Sequence, residues 1–237
     1  MKYIFGNWKM NMSKDEILQF TKHIKTNKDA KIGVAVSSIY YGDCIKLQKQ
    51  ILIGVQNVSA FTKGAYTGEI SANMLKDCKV DFCLVGHSER RLVFKETNQD
   101  INEKIKRLQE NDILPILCMG ESLEEFENGE TSKVLLNQIK LCTKNIDLSK
   151  KIIFAYEPVW AIGTGKSASL DIIEQVCAFI REKLKTLNLN QEIIILYGGI
   201  VNENNCKQIL NLANVDGVLV GGASNDATKF NAIINSV

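Results

Sequence analysis

The chain has 237 residues, with 29 lysines and arginines against 27 acidic residues and a net charge of only +2. That balance leaves no electrostatic footprint for nucleic acid or an anionic membrane, and neither is expected as a partner. With 45% hydrophobic and 24% charged residues the composition is that of a soluble globular protein, and no apolar run reaches the roughly 18 residues of a membrane-spanning helix.

The run from Met1 to Lys9 has too short an apolar stretch for a signal peptide and reads as a strand, Tyr3–Trp8. Similar short runs follow at Lys31–Ser37, Ile51–Gln56, Phe82–Gly86, Ile113–Cys118, Lys151–Tyr156, Glu192–Tyr197 and Gly217–Gly221. They are apolar almost throughout, as parallel strands covered on both faces are. Helical patterns occupy the intervals, among them Asn98–Glu110, Thr131–Lys144 and Ser169–Leu187. In the last, Ile172, Ile173, Val176, Phe179, Ile180 and Leu184 fall on one face. Eight strands alternating with eight helices predict an α/β fold, a closed (β/α)8 barrel, with a doubly wound open sheet as the alternative. No Pro/Gly/Ser-rich linker divides the chain, so one domain is expected over residues 1–237. The cysteines (Cys44, Cys78, Cys83, Cys118, Cys142, Cys177 and Cys206) are odd in number and form no C-x-x-C pair. This fits the reduced thiols of a cytoplasmic protein rather than a disulfide framework or a zinc site.

A barrel gathers its chemistry where strands end and βα loops begin. Asn7 and Lys9 end the first predicted strand, and His87 follows the fourth. Cys118 and Glu121 flank the end of the fifth, and Glu157 follows the sixth. Gly198-Gly199 and Gly221-Gly222 follow the last two. A carboxylate delivered by a rigid strand beside a hinged loop suits a general base that works in a closed site. A solvated strand-end glutamate has the same local sequence. Trp160 and Ile162, apolar residues of a kind that a plain connection would leave exposed, favour the base.

His87 is one of two histidines; His23 lies in a polar helical pattern and is expected at the surface. Ser88-Glu89-Arg90 reads as a helix start, which disfavours a cation, so His87 is expected to be neutral; a packed structural histidine is the alternative. Lys9 follows Trp8 and is expected to be partly buried, where an ammonium favours an anionic substrate and a developing oxyanion. Glycine pairs alone mark turns, but on the last two strands of a barrel they let backbone N–H groups approach a phosphate. There is no P-loop, no G-x-G-x-x-G and no metal-ligand cluster, so neither cofactor nor metal is expected.

Five runs resemble the triosephosphate isomerase family, in order and across essentially the whole chain. They are Gly6 to Asn11, Gly64 to Ser71, Gly86 to Arg91, Ala155 to Lys166 and Tyr197 to Gly199. The resemblance implies a single-domain (β/α)8 TIM barrel. It implies a cofactor-free isomerase that interconverts dihydroxyacetone phosphate and D-glyceraldehyde 3-phosphate through an enediolate, in glycolysis and gluconeogenesis. It implies that Glu157 moves a proton between adjacent carbons while a neutral His87 polarises the carbonyl; that pairing is an established property of the family. Lys9, paired with Glu89, stabilises negative charge, and Asn7 orients the substrate oxygens. Gly163, residue 200, Gly221 and Gly222 belong to the phosphate site. Pro158, Val159, Trp160, Ala161, Ile162, Gly163, Thr164, Gly165 and Lys166 form a lid. Thr67 lies on a loop that enters a second copy, implying a homodimer. The chain departs from the family pattern at Ile200, where serine is usual and offers a lid contact, and at Ser37-Ser38-Ile39-Tyr40, where a Pro-containing turn is usual. Two other functions fit the residues less well: a barrel that binds a phosphorylated metabolite without chemistry, and an isomerase of a larger phosphosugar.

Overall fold

The computed structural model describes residues 1–45, 47, 50–161, 167–187 and 192–237. Eight strands form the centre: β1 (Lys2–Asn7), β2 (Ala30–Val36), β3 (Leu52–Val55), β4 (Phe82–Val85), β5 (Leu114–Met119), β6 (Ile153–Tyr156), β7 (Ile194–Tyr197) and β8 (Gly217–Val220). Each pairs in parallel with the next, and β8 returns to β1 through Tyr3↔Gly217 to Gly6↔Val220. The barrel is closed, so the open-sheet alternative falls away.

Ten helices connect the strands among the described residues. They are α1 (Lys14–His23), α2 (Tyr41–Cys44), α3 (Ala72–Asp77), α4 (Ser88–Leu92), α5 (Asn98–Glu110), α6 (Leu123–Glu127), α7 (Thr131–Cys142), α8 (Leu170–Lys185), α9 (Cys206–Leu210) and α10 (Ala227–Ile234). The expected eight become ten because the connections after β4 and β5 each hold two. Local capping makes the extra starts. His87 caps α4, and Ser122 with Glu125 forms a capping box on α6.

Strand side chains divide between two cores. Phe82, Leu84, Ile116, Ile153, Ile194 and Leu196 point into the barrel. Their neighbours Cys83, Val85, Leu117, Phe154 and Ile195 pack outward, in one cluster with Ile101, Ile105 and Ile180 of the helices. Burial on both faces is why the strand sequences run apolar without alternating. Among the described residues no helix is long and apolar enough to cross a membrane.

Candidate active site

The C-terminal ends of the strands open into a cavity of about 570 Å³. Asn7, Lys9, His87, Glu157, Ile200, Gly221 and Gly222 all line it, although they come from five strand ends.

β1 ends in Asn7, which is buried, and the chain then turns sharply: Lys9 adopts left-handed backbone geometry at φ 51°. Such a conformation costs a non-glycine residue energy and persists only where its surroundings enforce it. Here the Lys9 N–H donates to Asn7 Oδ1 at 3.0 Å, and Gln56 Nε2 donates to the Lys9 carbonyl at 2.8 Å. The turn sends the half-buried ammonium over to α4, where Nζ donates to Glu89 Oε1 at 2.6 Å.

His87 closes the fourth strand's loop and caps α4. The Glu89 N–H donates to His87 Nδ1 at 3.2 Å, while Glu89 Oε2 stands 3.6 Å from the same nitrogen, too far to bond. An Nδ1 that accepts carries no proton, which assigns the ring as the neutral tautomer protonated at Nε2. That Nε2 faces Glu157 Oε1 at 3.4 Å. The loop is clamped from behind by Arg91, whose guanidinium donates to the carbonyls of Gly86 and Cys118 and to Asn98 Oδ1.

Glu157 follows β6 and is 1% exposed. Its other oxygen, Oε2, accepts the Ser88 N–H at 3.0 Å. Two glycines leave room for it: a Cβ on Gly120 would lie 1.8 Å from the Glu157 carbonyl oxygen, and one on Gly198 would lie 2.9 Å from Glu157 Cγ. The Cys118 thiol lies beside the Glu157 side chain. Burial first, then the adjacent carboxylate, hold that thiol well above its ordinary range, so it stays neutral.

Of the residues expected to form the lid, Pro158, Val159, Trp160 and Ala161 are described, while Ile162, Gly163, Thr164, Gly165 and Lys166 lie outside the described residues. Trp160 is not left open to solvent. Its ring stacks on Phe126 with centroids 4.3 Å apart, and Nε1 donates to Glu121 Oε1 at 2.9 Å. The cause is Glu121, a fully buried carboxylate that also accepts from Tyr156 Oη at 3.1 Å. Burial raises the Glu121 carboxyl above the usual range, with those hydrogen bonds pulling the other way. Thr67 stays outside the cavity, on the exposed loop between β3 and α3. Among the described residues no cluster of His, Cys, Asp or Glu could hold a metal ion.

Gln56 and the Ser88 backbone were not legible as site residues, since each acts through a partner far away in sequence, 47 and 69 positions off; Arg91 joins its own loop to the Cys118 carbonyl of the next strand. A strand-end glutamine after β3 is the one faint signal, because the ends of β1, β4, β6, β7 and β8 all supply the cavity.

A closed (β/α)8 barrel that brings a buried carboxylate, a neutral imidazole and an ammonium to its C-terminal mouth defines an enzyme of the proton-transfer class. The family model for triosephosphate isomerase matches residues 2–237. Curated relatives named triosephosphate isomerase include that of Mycoplasma capricolum subsp. capricolum, 46% identical over 99% of this chain and 98% of the relative. Those of Mesomycoplasma hyorhinis and Francisella philomiragia subsp. philomiragia are each 44% identical, over 96% and 99% of this chain and 95% and 96% of the relatives. The chain belongs to the triosephosphate isomerase family.

Proposed function

We propose that Asn7, Lys9, His87 and Glu157 carry the interconversion of dihydroxyacetone phosphate and D-glyceraldehyde 3-phosphate in this chain. The observation behind it is the contact between a 1% exposed Glu157 carboxylate and His87 Nε2, 3.4 Å apart within one cavity. Glu157 takes the proton from the carbon beside the carbonyl. His87 donates its Nε2 proton to the carbonyl oxygen, giving the enediol. His87 then takes a proton from the neighbouring oxygen as Glu157 returns its own to the adjacent carbon, so atoms and charge balance. The Lys9 ammonium offsets the developing oxyanion. Ile200, Gly221 and Gly222 offer backbone N–H groups to the phosphate.

The chain works as one cytoplasmic domain in glycolysis and gluconeogenesis, and as a homodimer. A second cavity of about 310 Å³ adjoins the first; it shares Asn7, Lys9 and His87 and is rimmed by Met10, Ile39 and Phe94. These three are 98%, 80% and 65% exposed, an apolar rim that a partner would cover. The exposed loop with Thr67 carries Phe61 and Tyr66 stacked 3.9 Å apart, a preformed apolar finger of matching character.

A coupled assay started from each triose phosphate tests the reaction, with turnover expected in both directions and without added metal or cofactor. Binding without turnover would favour a metabolite-binding barrel. Sedimentation is expected to give a dimer; a fully active monomer at micromolar concentration would remove the dimer assignment.

A further inference from the structure

We propose that Lys229 is a capture cation at the phosphate end of the cavity, an inference that rests on the reading above of Ile200, Gly221 and Gly222 as the phosphate site. Lys229 lines the same cavity as those residues. It sits in the first turn of α10, where its N–H donates to Asp226 Oδ1 at 3.3 Å. The next residue, Phe230, is fully buried and fixes the helix against the barrel. A short 3-10 turn, Gly222–Asn225, joins the phosphate glycines to this helix with only Asp226 between. The root of the lysine is thus positioned by the segment that presents the backbone donors.

The charges of the cavity explain why a cation is needed there. Its lining holds two carboxylates, Glu157 and Glu203, and two ammonium groups, Lys9 and Lys229. Lys9 is already paired with Glu89 at 2.6 Å. A phosphate monoester brings roughly −1.5 to −2 charges near neutral pH, so it approaches a site with a surplus of negative charge unless a second cation is free. The side chain of Lys229 enters no ion pair among the described residues. The nearest acid in sequence, Asp226, spends its carboxylate on capping the Thr228 and Lys229 N–H groups. A free cation at the mouth of a cleft raises the rate at which an anion is captured, and salt screens the effect.

The test compares Lys229→Gln with Lys207→Gln, which removes the same charge from an exposed residue of α9 outside the cavity. Three quantities are read at low and at high ionic strength: kcat and KM for glyceraldehyde 3-phosphate, and the affinity for inorganic phosphate by calorimetry. At low salt, Lys229→Gln is expected to lower kcat/KM and phosphate affinity roughly threefold to tenfold, with kcat unchanged and the loss shrinking at high salt. Lys229→Glu should lose more. If either kcat/KM or phosphate affinity in Lys229→Gln matches that of Lys207→Gln at low salt, the capture role is overturned. Should the parent protein show no isomerisation, the functional reading fails, and the phosphate titration alone decides the role of Lys229.

Discussion

The two ends of the cavity are built differently. At the reacting end the working groups are side chains, each held by another: Lys9 by Glu89, His87 by the Glu89 amide, Glu157 by the Ser88 amide. Asn7, His87 and Glu157 are buried there. At the proposed phosphate end Ile200 and Gly221 are half-buried, Gly222 and Lys229 are exposed, and the proposed donors are backbone N–H groups. The contrast follows from what each end must do. Proton transfer between adjacent carbons tolerates little displacement of the base, so its groups are preorganised. A phosphate dianion is bulky and strongly attracted, so on the proposed reading a looser clamp of N–H groups and a free cation suffices.

The sharpest break of that contrast is Glu157→Gln, which keeps the volume and removes the basic oxygen. The loss in kcat is expected to exceed the roughly 10²–10⁴-fold that acid–base catalysis alone typically supplies, with circular dichroism unchanged; activity within tenfold of the parent would break the assignment. Next in size is Gly198→Ala. Its Cβ would lie 2.9 Å from Glu157 Cγ, so the base must shift, and kcat should fall about tenfold to a hundredfold while phosphate affinity holds. An unchanged kcat would mean that the reacting end is more compliant than its packing suggests.

At the phosphate end the effects should be smaller. Ile200→Ser keeps the backbone N–H and adds a hydroxyl. One neutral hydrogen bond contributes about 0.5–1.5 kcal/mol, so a phosphate-bearing transition-state analogue should bind roughly threefold to tenfold more tightly. Equal or weaker binding at unchanged Tm would show that isoleucine already serves closure by other contacts.

The smallest effect concerns Glu121, beneath the base of the lid. Its carboxyl is raised by burial, so the folded state holds this proton more tightly than the unfolded chain. Ionisation therefore counts against the fold once pH rises above the ordinary carboxylate value of about 4.5. The Tm of Glu121→Gln relative to the parent should accordingly increase as pH is raised from there toward neutrality. A difference that stays constant across that range would contradict the raised carboxyl.

Much of this was legible in sequence because strand burial and strand ends leave local marks. The helix Asn98–Glu110 was placed to the residue, since Thr97 and Asp100 cap it in sequence as they do in space. The strands were found with ends shifted by a residue or two, because pairing with the neighbouring strand, which the run itself does not show, sets where each begins and stops. The start of α4 was read at Ser88-Glu89-Arg90, whereas α6 was missed; each has only five residues, too short to show a helical period, and exists by virtue of its cap. In the site, Asn7, Lys9, His87 and Glu157 could be read from their places after strands. Trp160 was read as a lid residue, but its inward packing could not be, because the buried Glu121 that draws it inward lies 39 positions away. Lys229 could not either: one lysine among 29 basic residues acquires meaning only when the barrel closes around the phosphate glycines.

Solvent exchange tests the central claim, that Glu157 carries a proton between two carbons, most directly. Turnover of dihydroxyacetone phosphate in D2O should place deuterium on the product carbon that receives the proton, because the protonated carboxyl exchanges with solvent before it returns its hydrogen. In Glu157→Gln this incorporation should be lost together with turnover. Deuterium appearing at the parent rate in Glu157→Gln would show that another group removes the proton, and the assignment of the base would fall.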